Sequence, residues 1–355
     1  MMYESSLRLN ISLRILAASP EDAVCRVVPD CQIGSPFDRQ TVIDFAQGCD
    51  VITLDHEQVD ADILEEVQRM GIAVRPDPTT IRISVDKAAQ RTAFAAAGLP
   101  QTAFLLAKTR EELLAAAEQF GFPFVLKPAR GGYDGRGVFI IKSAADLEPW
   151  NEFDELVLEP FVDLTAEAAV QVARRPSGEK VVYPIVRTEQ VDGMCRTVDY
   201  PSGLSSAIEA KITSVASAIA DLLDITGIFA VEFFISGDEV FINEIATRPH
   251  NSGHHTIDTC VTSQFENHLR AVLDMPLGSP DAKVAGAVMA NLVGMDDGSL
   301  GLREQLPADV AVHLYGKTPR PGRKLGHVTA IGQNVEDAME KVERAVLSLP
   351  KREST

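Results

Sequence analysis

The chain has 355 residues, 45% of them apolar and 6% aromatic, with a formal net charge of −18. That length exceeds one ordinary core and implies two or three domains. The acidic balance excludes nucleic acid and anionic membrane as general partners, and it admits small anions only where local cations or metal ions offset it. No apolar run approaches the ~20 residues of a membrane span. The N-terminus MMYESSLRLNISLR lacks the unbroken apolar core of a signal peptide. The five cysteines, Cys25, Cys31, Cys49, Cys195 and Cys260, contain no C-x-x-C pair, so neither a disulfide framework nor a zinc site is expected, and a cytoplasmic location is.

In chain order, Leu13 to Ala17, Val51 to Leu54 and Ile72 to Val74 read as strands around an amphipathic helix, Ala61 to Met70. Such alternation predicts an α/β layer with a parallel sheet. Asp77-Pro78 breaks the pattern, and Asp86 to Ala97 reads as a helix stopped by Gly98-Leu99-Pro100. Residues 101–165 give strand, helix, strand, glycine-rich loop and strand, the last being Leu156 to Leu158. A long helix, Ala207 to Leu223, precedes strands Phe229 to Ile235 and Glu239 to Ile245, with Ser236-Gly237-Asp238 as a three-residue hairpin loop. Beyond Leu277, Ala287 to Val293 and Val310 to Leu314 read as strands. The expected units are 1–80, 81–280 with a lid at about 101–165, and 281–355.

The glycine-rich loop is Lys127-Pro128-Ala129-Arg130-Gly131-Gly132-Tyr133-Asp134-Gly135-Arg136-Gly137, between the apolar runs Phe122 to Leu126 and Val138 to Ile141. Four glycines in seven residues let the backbone close over a ligand with its N–H groups turned inward. Lys127, Arg130 and Arg136 add positive charge. Without a Gly-Lys-Ser/Thr ending, and opening a strand rather than a helix, it is neither a P-loop nor a dinucleotide fingerprint. A lid over nucleotide phosphates is one reading, and a surface hairpin is the other.

In the later hairpin the assumed loop sets Glu232 nearly opposite Ile242 and makes Glu244 its diagonal same-face neighbour, within mutual reach. Two carboxylates on so apolar a hairpin repel unless cations lie between them. Magnesium suits them, as a hard ion that takes carboxylate and phosphate oxygens together. Asn243 adds an oxygen if local geometry turns it inward. A pair of solvent-facing glutamates is the alternative, and a one-residue slip would part them. Arg248-Pro249-His250-Asn251-Ser252-Gly253-His254-His255 follows directly. Its three histidines match no usual zinc spacing, so an anion-handling loop with Arg248 as fork is the reading. Lys317 to Lys324 is a second basic cluster, either a phosphate site or a solvated charge run.

GGYDGRG, INEIATRPHNSGH, SQFENHLRAVLD (263–274) and RPGRKLGH (320–327) together resemble the ATP-grasp ligases. Within that superfamily the chain resembles, over nearly its whole length, the N5-carboxyaminoimidazole ribonucleotide synthetases of purine biosynthesis. The resemblance implies an α/β ATP-grasp fold with an N-terminal parallel α/β (pre-ATP-grasp) domain and a small C-terminal β-rich domain. It implies ATP- and bicarbonate-dependent carboxylation of aminoimidazole ribonucleotide through carboxyphosphate, with two Mg2+ ions, in a homodimer. By similarity Lys87 and Lys127 would hold phosphates under Gly131, Gly132, Tyr133, Asp134, Gly135, Arg136 and Gly137. Glu159, Pro160, Phe161 and Val162 would frame the adenine and Glu167 the ribose, with Gln190 near the nucleotide where a histidine is common. Glu232 and Glu244 would bind magnesium beside Asn243. Arg248, His250, Asn251 and Lys317 would act on the carboxyphosphate and its acceptor, and Glu57, Lys317, Arg323 and Lys324 would contact the ribonucleotide.

Family members begin with a strand and a loop reading roughly GGGQLGRMM, whereas this sequence starts at Met1-Met2-Tyr3-Glu4. The expectation is that this strand and loop are absent from the sequence as given and that ribonucleotide binding suffers. Asp55-His56-Glu57-Gln58 stands for a usual Glu-Phe-Glu-Asn, and His255 for a frequent tryptophan. The competing readings are another ATP-grasp ligase, such as the formate-dependent glycinamide ribonucleotide transformylase, and a non-catalytic ATP-binding subunit.

Overall fold

A computed structural model describes residues 1–131, 137–147, 154–191, 193–304 and 306–347. Gly132, Tyr133, Asp134, Gly135 and Arg136, expected in the lid, lie outside the described residues.

The first 85 residues form α1 (Met2–Arg8), β1 (Ile15–Ala17), β2 (Cys31–Ile33), α2 (Arg39–Ala46), β3 (Val51–Ile52), α3 (Ala61–Arg69), β4 (Ala73–Val74) and α4 (Pro78–Ser84). Asp38, Asp60 and Asp77 cap α2, α3 and α4 by accepting from the backbone N–H of Thr41, Asp62 and Thr79. Each cap satisfies a donor that the first helical turn leaves open. Ile63, Leu64 and Val67 of α3 bury against Ile52, Val74 and Ile81. The parallel pairing expected here exists as two separate pairs, β1 with β2 and β3 with β4. The expectation of no disulfide is corrected. Cys25 and Cys31 are bonded, because the turn before β2 brings their Cα atoms to 5.3 Å, inside the span a disulfide bridges.

Next come α5 (Lys87–Ala96), β5 (Leu105–Ala107), α6 (Arg110–Phe120), β6 (Phe124–Pro128), β7 (Phe139–Ile141) and β8 (Leu156–Pro160). The four strands form an antiparallel sheet in the order β5-β8-β6-β7. A reciprocal Thr109–Glu112 capping box starts α6, whose Leu113, Ala116 and Ala117 pack on Phe124, Leu126 and Leu158. The strand–loop–strand reading around the glycines holds, with Phe124 opposite Ile141. Lys127 belongs to β6 rather than to the loop. Gly131 and Gly137, at the loop's two ends, have φ of +86° and +89°, which only glycine adopts without a Cβ penalty.

The remaining elements are β9 (Ala166–Arg174), β10 (Lys180–Val182), β11 (Val186–Val191), β12 (Met194–Tyr200), α7 (Ser206–Leu222), β13 (Gly227–Ser236) and β14 (Glu239–Ala246). They continue with α8 (Thr256–Thr259), α9 (Gln264–Val272), β15 (Gly286–Val293), β16 (Val310–Leu314), β17 (Lys324–Gly332) and α10 (Val335–Ala345). Among the described residues nine strands form one sheet, ordered β14-β13-β9-β11-β12-β15-β17-β16 with β10 added to β9. Helix α7 buries Ile208, Ile212, Ala216 and Ile219 against Phe229, Val231 and Phe233. Helix α10 covers Val288, Ala290, Leu292 and Val328 further along. No described helix is long and apolar enough to cross a membrane.

Candidate active site

Ser236 pairs with Glu239, so Gly237-Asp238 is a two-residue turn, with Gly237 at φ +59°, and the three-residue loop expected from sequence is corrected. The pairing then runs Phe233 with Ile242 and, after a shift, Glu232 with Glu244. Asn243 is the extra residue of a β-bulge. Glu232 is therefore directly opposite Glu244 rather than near Ile242, and the two carboxylates share a face as cross-strand neighbours. The bulge also frees the Asn243 carbonyl from the ladder, where it accepts from Arg91 Nη2 at 2.8 Å.

Helix α5 supplies cations to both sheets. Asp86 caps it and takes Arg130 Nε at 2.8 Å, while the Lys87 amide donates to the Ala129 carbonyl at 2.8 Å. Lys87 Nζ stands 3.2 Å from Glu244 Oε2. One turn on, Arg91 Nε is 2.6 Å from Glu159 Oε1, and its Nη1 reaches the Ile242 carbonyl at 3.1 Å. Glu159 also accepts from Thr102 Oγ1 at 2.9 Å and from Lys127 Nζ at 2.5 Å. Burial alone would raise the Glu159 carboxyl, but Lys127 and Arg91 hold it at about 2. Burial lowers Lys127, and Glu159 partly restores it. Glu244 is raised by burial and then drawn below the usual glutamate range by Lys87.

The loop after β14 continues from Glu244 and carries the next charged groups. Glu57 Oε1 accepts from the Thr247 amide at 2.5 Å and the Thr247 hydroxyl at 3.1 Å, and its Oε2 lies 3.2 Å from Arg248 Nε. His250 Nδ1 is 2.8 Å from Ser252 Oγ and 3.8 Å from a Glu232 oxygen, and Gln171 Nε2 donates to the same Ser252 hydroxyl at 2.9 Å. Asn251 and Asn291 exchange side-chain amide bonds at 2.8 and 2.7 Å, tying the loop to β15. His254 is pushed down chiefly by burial and then by His327, His250, Lys324 and Arg248, and its ring centre lies 5.3 Å from that of His327.

Other expected site residues are placed as follows. Glu167 is on β9, opposite Phe234, and burial raises its carboxyl to about 7. Pro160 ends β8 and Phe161, just beyond it, is exposed, followed by half-buried Val162. Gln190 lies at a register shift in β11 opposite Cys195. Lys317 Nζ sits 5.2 Å from the Tyr315 ring centre, Arg323 Nη1 donates to the Thr318 carbonyl at 3.1 Å, and Lys324 opens β17.

Sequence reasoning missed Arg91, Thr102 and Asn291. Arg91 lies four residues from Lys87, on the same helical face, so its approach to the site was available from spacing. Thr102 and Asn291 arrive through strand pairing and carried no local signal.

Three family models match: a ribonucleotide synthetase preATP-grasp domain over residues 1–85, an ATP-grasp domain over 92–265, and a phosphoribosylaminoimidazole carboxylase C-terminal domain over 287–341. The chain is 39% identical over 360 residues to the N5-carboxyaminoimidazole ribonucleotide synthase of Mycobacterium bovis, covering 97% of this chain and 84% of that protein. It is 37% identical to the Synechococcus elongatus enzyme of the same name, covering 93% and 86%. The crystal structure of the Thermus thermophilus synthetase superposes with a TM-score of 0.89 at 30% identity, covering 99% of this chain and 97% of that one. The Aspergillus clavatus enzyme in complex with ADP and 5-aminoimidazole ribonucleotide gives 0.88 at 33% identity, covering 97% and 93%.

Proposed function

For a chain that belongs to the N5-carboxyaminoimidazole ribonucleotide synthetases of the ATP-grasp superfamily, as this one does, we propose the following assignment of activity and residues. The protein is an ATP-dependent carbon–nitrogen ligase of purine biosynthesis. It uses ATP and bicarbonate to carboxylate the exocyclic amine of 5-aminoimidazole ribonucleotide.

The carrying observation is the pair of opposed carboxylates, Glu232 on β13 and Glu244 on β14, with Arg248, His250 and Asn251 following in the loop after β14. Hard oxygen donors of this kind fit magnesium, and two ions are part of the proposal. Bound there with ATP, magnesium would neutralise phosphate charge. Lys87 and Lys127 orient the phosphates, and Glu159 fixes Lys127 from below. Bicarbonate oxygen attacks the γ-phosphorus, ADP leaves, and the resulting carboxyphosphate carries its carboxyl group to the amine with release of phosphate. Arg248, His250 and Asn251 steady that mixed anhydride through donors already positioned by Glu57, Ser252 and Asn291. Positioning and charge neutralisation suffice for such chemistry without a covalent nucleophile. The sequence-based lid at 131–137 would exclude water from the anhydride, and its residues 132–136 lie outside the described residues.

The remaining assignments keep the sequence-based roles. Glu159 to Val162 frame the adenine, Glu167 takes the ribose, and Gln190 and Asn243 lie near the nucleotide. Glu57, Lys317, Arg323 and Lys324 receive the ribonucleotide. The units 1–80, 81–280 and 281–355, a cytoplasmic location and a homodimer complete the reading.

The test is ADP release with Mg2+, ATP and bicarbonate, with and without aminoimidazole ribonucleotide. Release that requires both bicarbonate and the ribonucleotide is expected. Release driven instead by formate and glycinamide ribonucleotide, or ATP binding without release under any of these conditions, overturns the assignment.

A further inference from the structure

We propose that Asp258, His313 and His327 form a binding site for a divalent transition ion of the zinc type, separate in position and chemistry from the magnesium carboxylates. The histidine-rich loop offers no zinc spacing of its own. The second half of the site comes from the C-terminal strands, where register sets His313 of β16 directly opposite His327 of β17. Their rings stack at 4.5 Å between centres, 19° from parallel, so one imidazole must turn about its Cβ–Cγ bond for both lone pairs to meet at one ion. Asp258, on α8, reaches the same spot, with Oδ2 at 2.9 Å from His313 Nε2. One ligating atom from each of the three residues lies within 4.8 Å of the others.

His327 is 0% exposed, and its Nε2 has no hydrogen-bond partner among the described residues. A buried imidazole nitrogen left open costs free energy unless something occupies it. Its other nitrogen, Nδ1, is 2.8 Å from the Tyr315 hydroxyl. With the Tyr315 hydroxyl accepting, Nδ1 carries the proton and the Nε2 lone pair is left for a metal, the arrangement that outer-shell partners give ligating histidines.

Ligands on a tetrahedral ion at about 2.0–2.1 Å stand roughly 3.4 Å apart. The Asp258–His313 contact needs to widen by only about half an ångström for an ion to replace the shared proton. Two imidazoles and one carboxylate favour zinc, cobalt or nickel over magnesium, and leave a fourth position for water. The Asp258 and His313 side chains are 19% and 23% exposed, which opens a path from solvent. An ion here would clamp α8, just past the loop carrying Arg248, His250 and Asn251, onto β16 and β17. The position depends only on these side chains, not on the reaction assigned above.

The experiment uses tag-free protein stripped by a chelator, then titrated with Co2+ by visible absorption and with Zn2+ by competition against a chromophoric chelator. The expected result is one tight equivalent per chain, a four-coordinate cobalt spectrum, and a rise in melting temperature with zinc that excess Mg2+ does not reproduce. His313→Asn and Asp258→Asn should each abolish that equivalent while retaining the native circular dichroism spectrum. Tyr315→Phe should weaken it by about 10–100-fold. The double variant Glu232→Gln/Glu244→Gln should retain it. Absence of a stoichiometric equivalent in the unsubstituted protein overturns the proposal. So does an equivalent that survives both His313→Asn and Asp258→Asn, or one lost in the Glu232/Glu244 variant.

Discussion

In the four-stranded sheet, Glu159 is 3% exposed and its carboxylate accepts from Arg91, Thr102 and Lys127. On the hairpin, Glu232 and Glu244 oppose each other, with Lys87 3.2 Å from Glu244 and His250 3.8 Å from Glu232. Both regions are built from carboxylates and cations joined by α5. In the first, one negative charge meets two cations and a hydroxyl, so the group is internally complete. In the second, two carboxylates oppose each other beside a lysine and a histidine, a set of hard oxygen donors that an added cation would fit. The same residue types thus make a fixed strut in one place and a receptor in the other, and the local balance of charge decides between them.

If that distinction holds, substitutions should split between stability and turnover. Glu159→Ala leaves Lys127 and Arg91 buried without their counter-charge and should cost about 3–5 kcal/mol, read as a lowered urea midpoint. The same strut has a pH signature. Its carboxyl is held at about 2 in the fold, below its ordinary value, so its contribution is present above the usual glutamate range. That contribution disappears as pH falls towards about 2, and Glu159→Gln should remove this part of the acid-unfolding curve. A Glu159→Ala protein as stable as the parent would break the comparison.

Glu244→Gln should do the reverse. Protein surrounds its carboxylate closely enough for burial to raise it, yet the side chain is 42% exposed to solvent, so stability should change by less than in Glu159→Ala, about 1 kcal/mol. Turnover should fall by about 100-fold or more as the cation site loses a charged ligand. Steady-state ADP release at saturating ATP, measured beside the urea midpoint, checks both halves. Comparable losses in stability and turnover would mean that Glu244 is a strut too.

The sequence made much of this legible. The paired glutamates, the glycine-rich turn and the Arg248–His255 loop each carried a local pattern that named a chemistry. What escaped is whatever depends on pairing across the chain. A two-residue turn alone would set Glu232 against Asn243, and it is the separate bulge at Asn243, with no signal in composition, that sets Glu232 against Glu244. No strand was expected at Ala166–Arg174, because alanine, glutamate and glutamine favour helix. The segment is extended because neighbours on both sides, β13 and β11, supply its hydrogen bonds, and small side chains suit a strand buried on both faces. His313 and His327 are distant from the histidine-rich loop in sequence, so only the β16–β17 register could bring them to Asp258.

Glu167 sharpens the comparison from a third direction, since it is a sheltered carboxyl raised to about 7 by burial. Glu159 shows what paired cations do to a buried glutamate, and Glu167 shows what burial does where no cation offsets it among the described residues. Raised above its ordinary value in the fold, it lends stability that is complete below the usual glutamate range. That stability is lost as pH climbs through about 7. An ionised carboxylate accepts from ribose hydroxyls more strongly than the neutral acid does, so with Glu167 on the ribose, nucleotide binding should release a proton and tighten over the same interval. Between about pH 6 and pH 8 the ionised fraction of such a group rises about tenfold. ATP affinity measured by calorimetry in buffers of differing ionisation heat should follow that rise in the parent protein and be flat in Glu167→Gln. An unchanged slope in that variant would mean that Glu167 does not bind the ribose, and that burial alone, without a ligand to meet, accounts for its raised carboxyl.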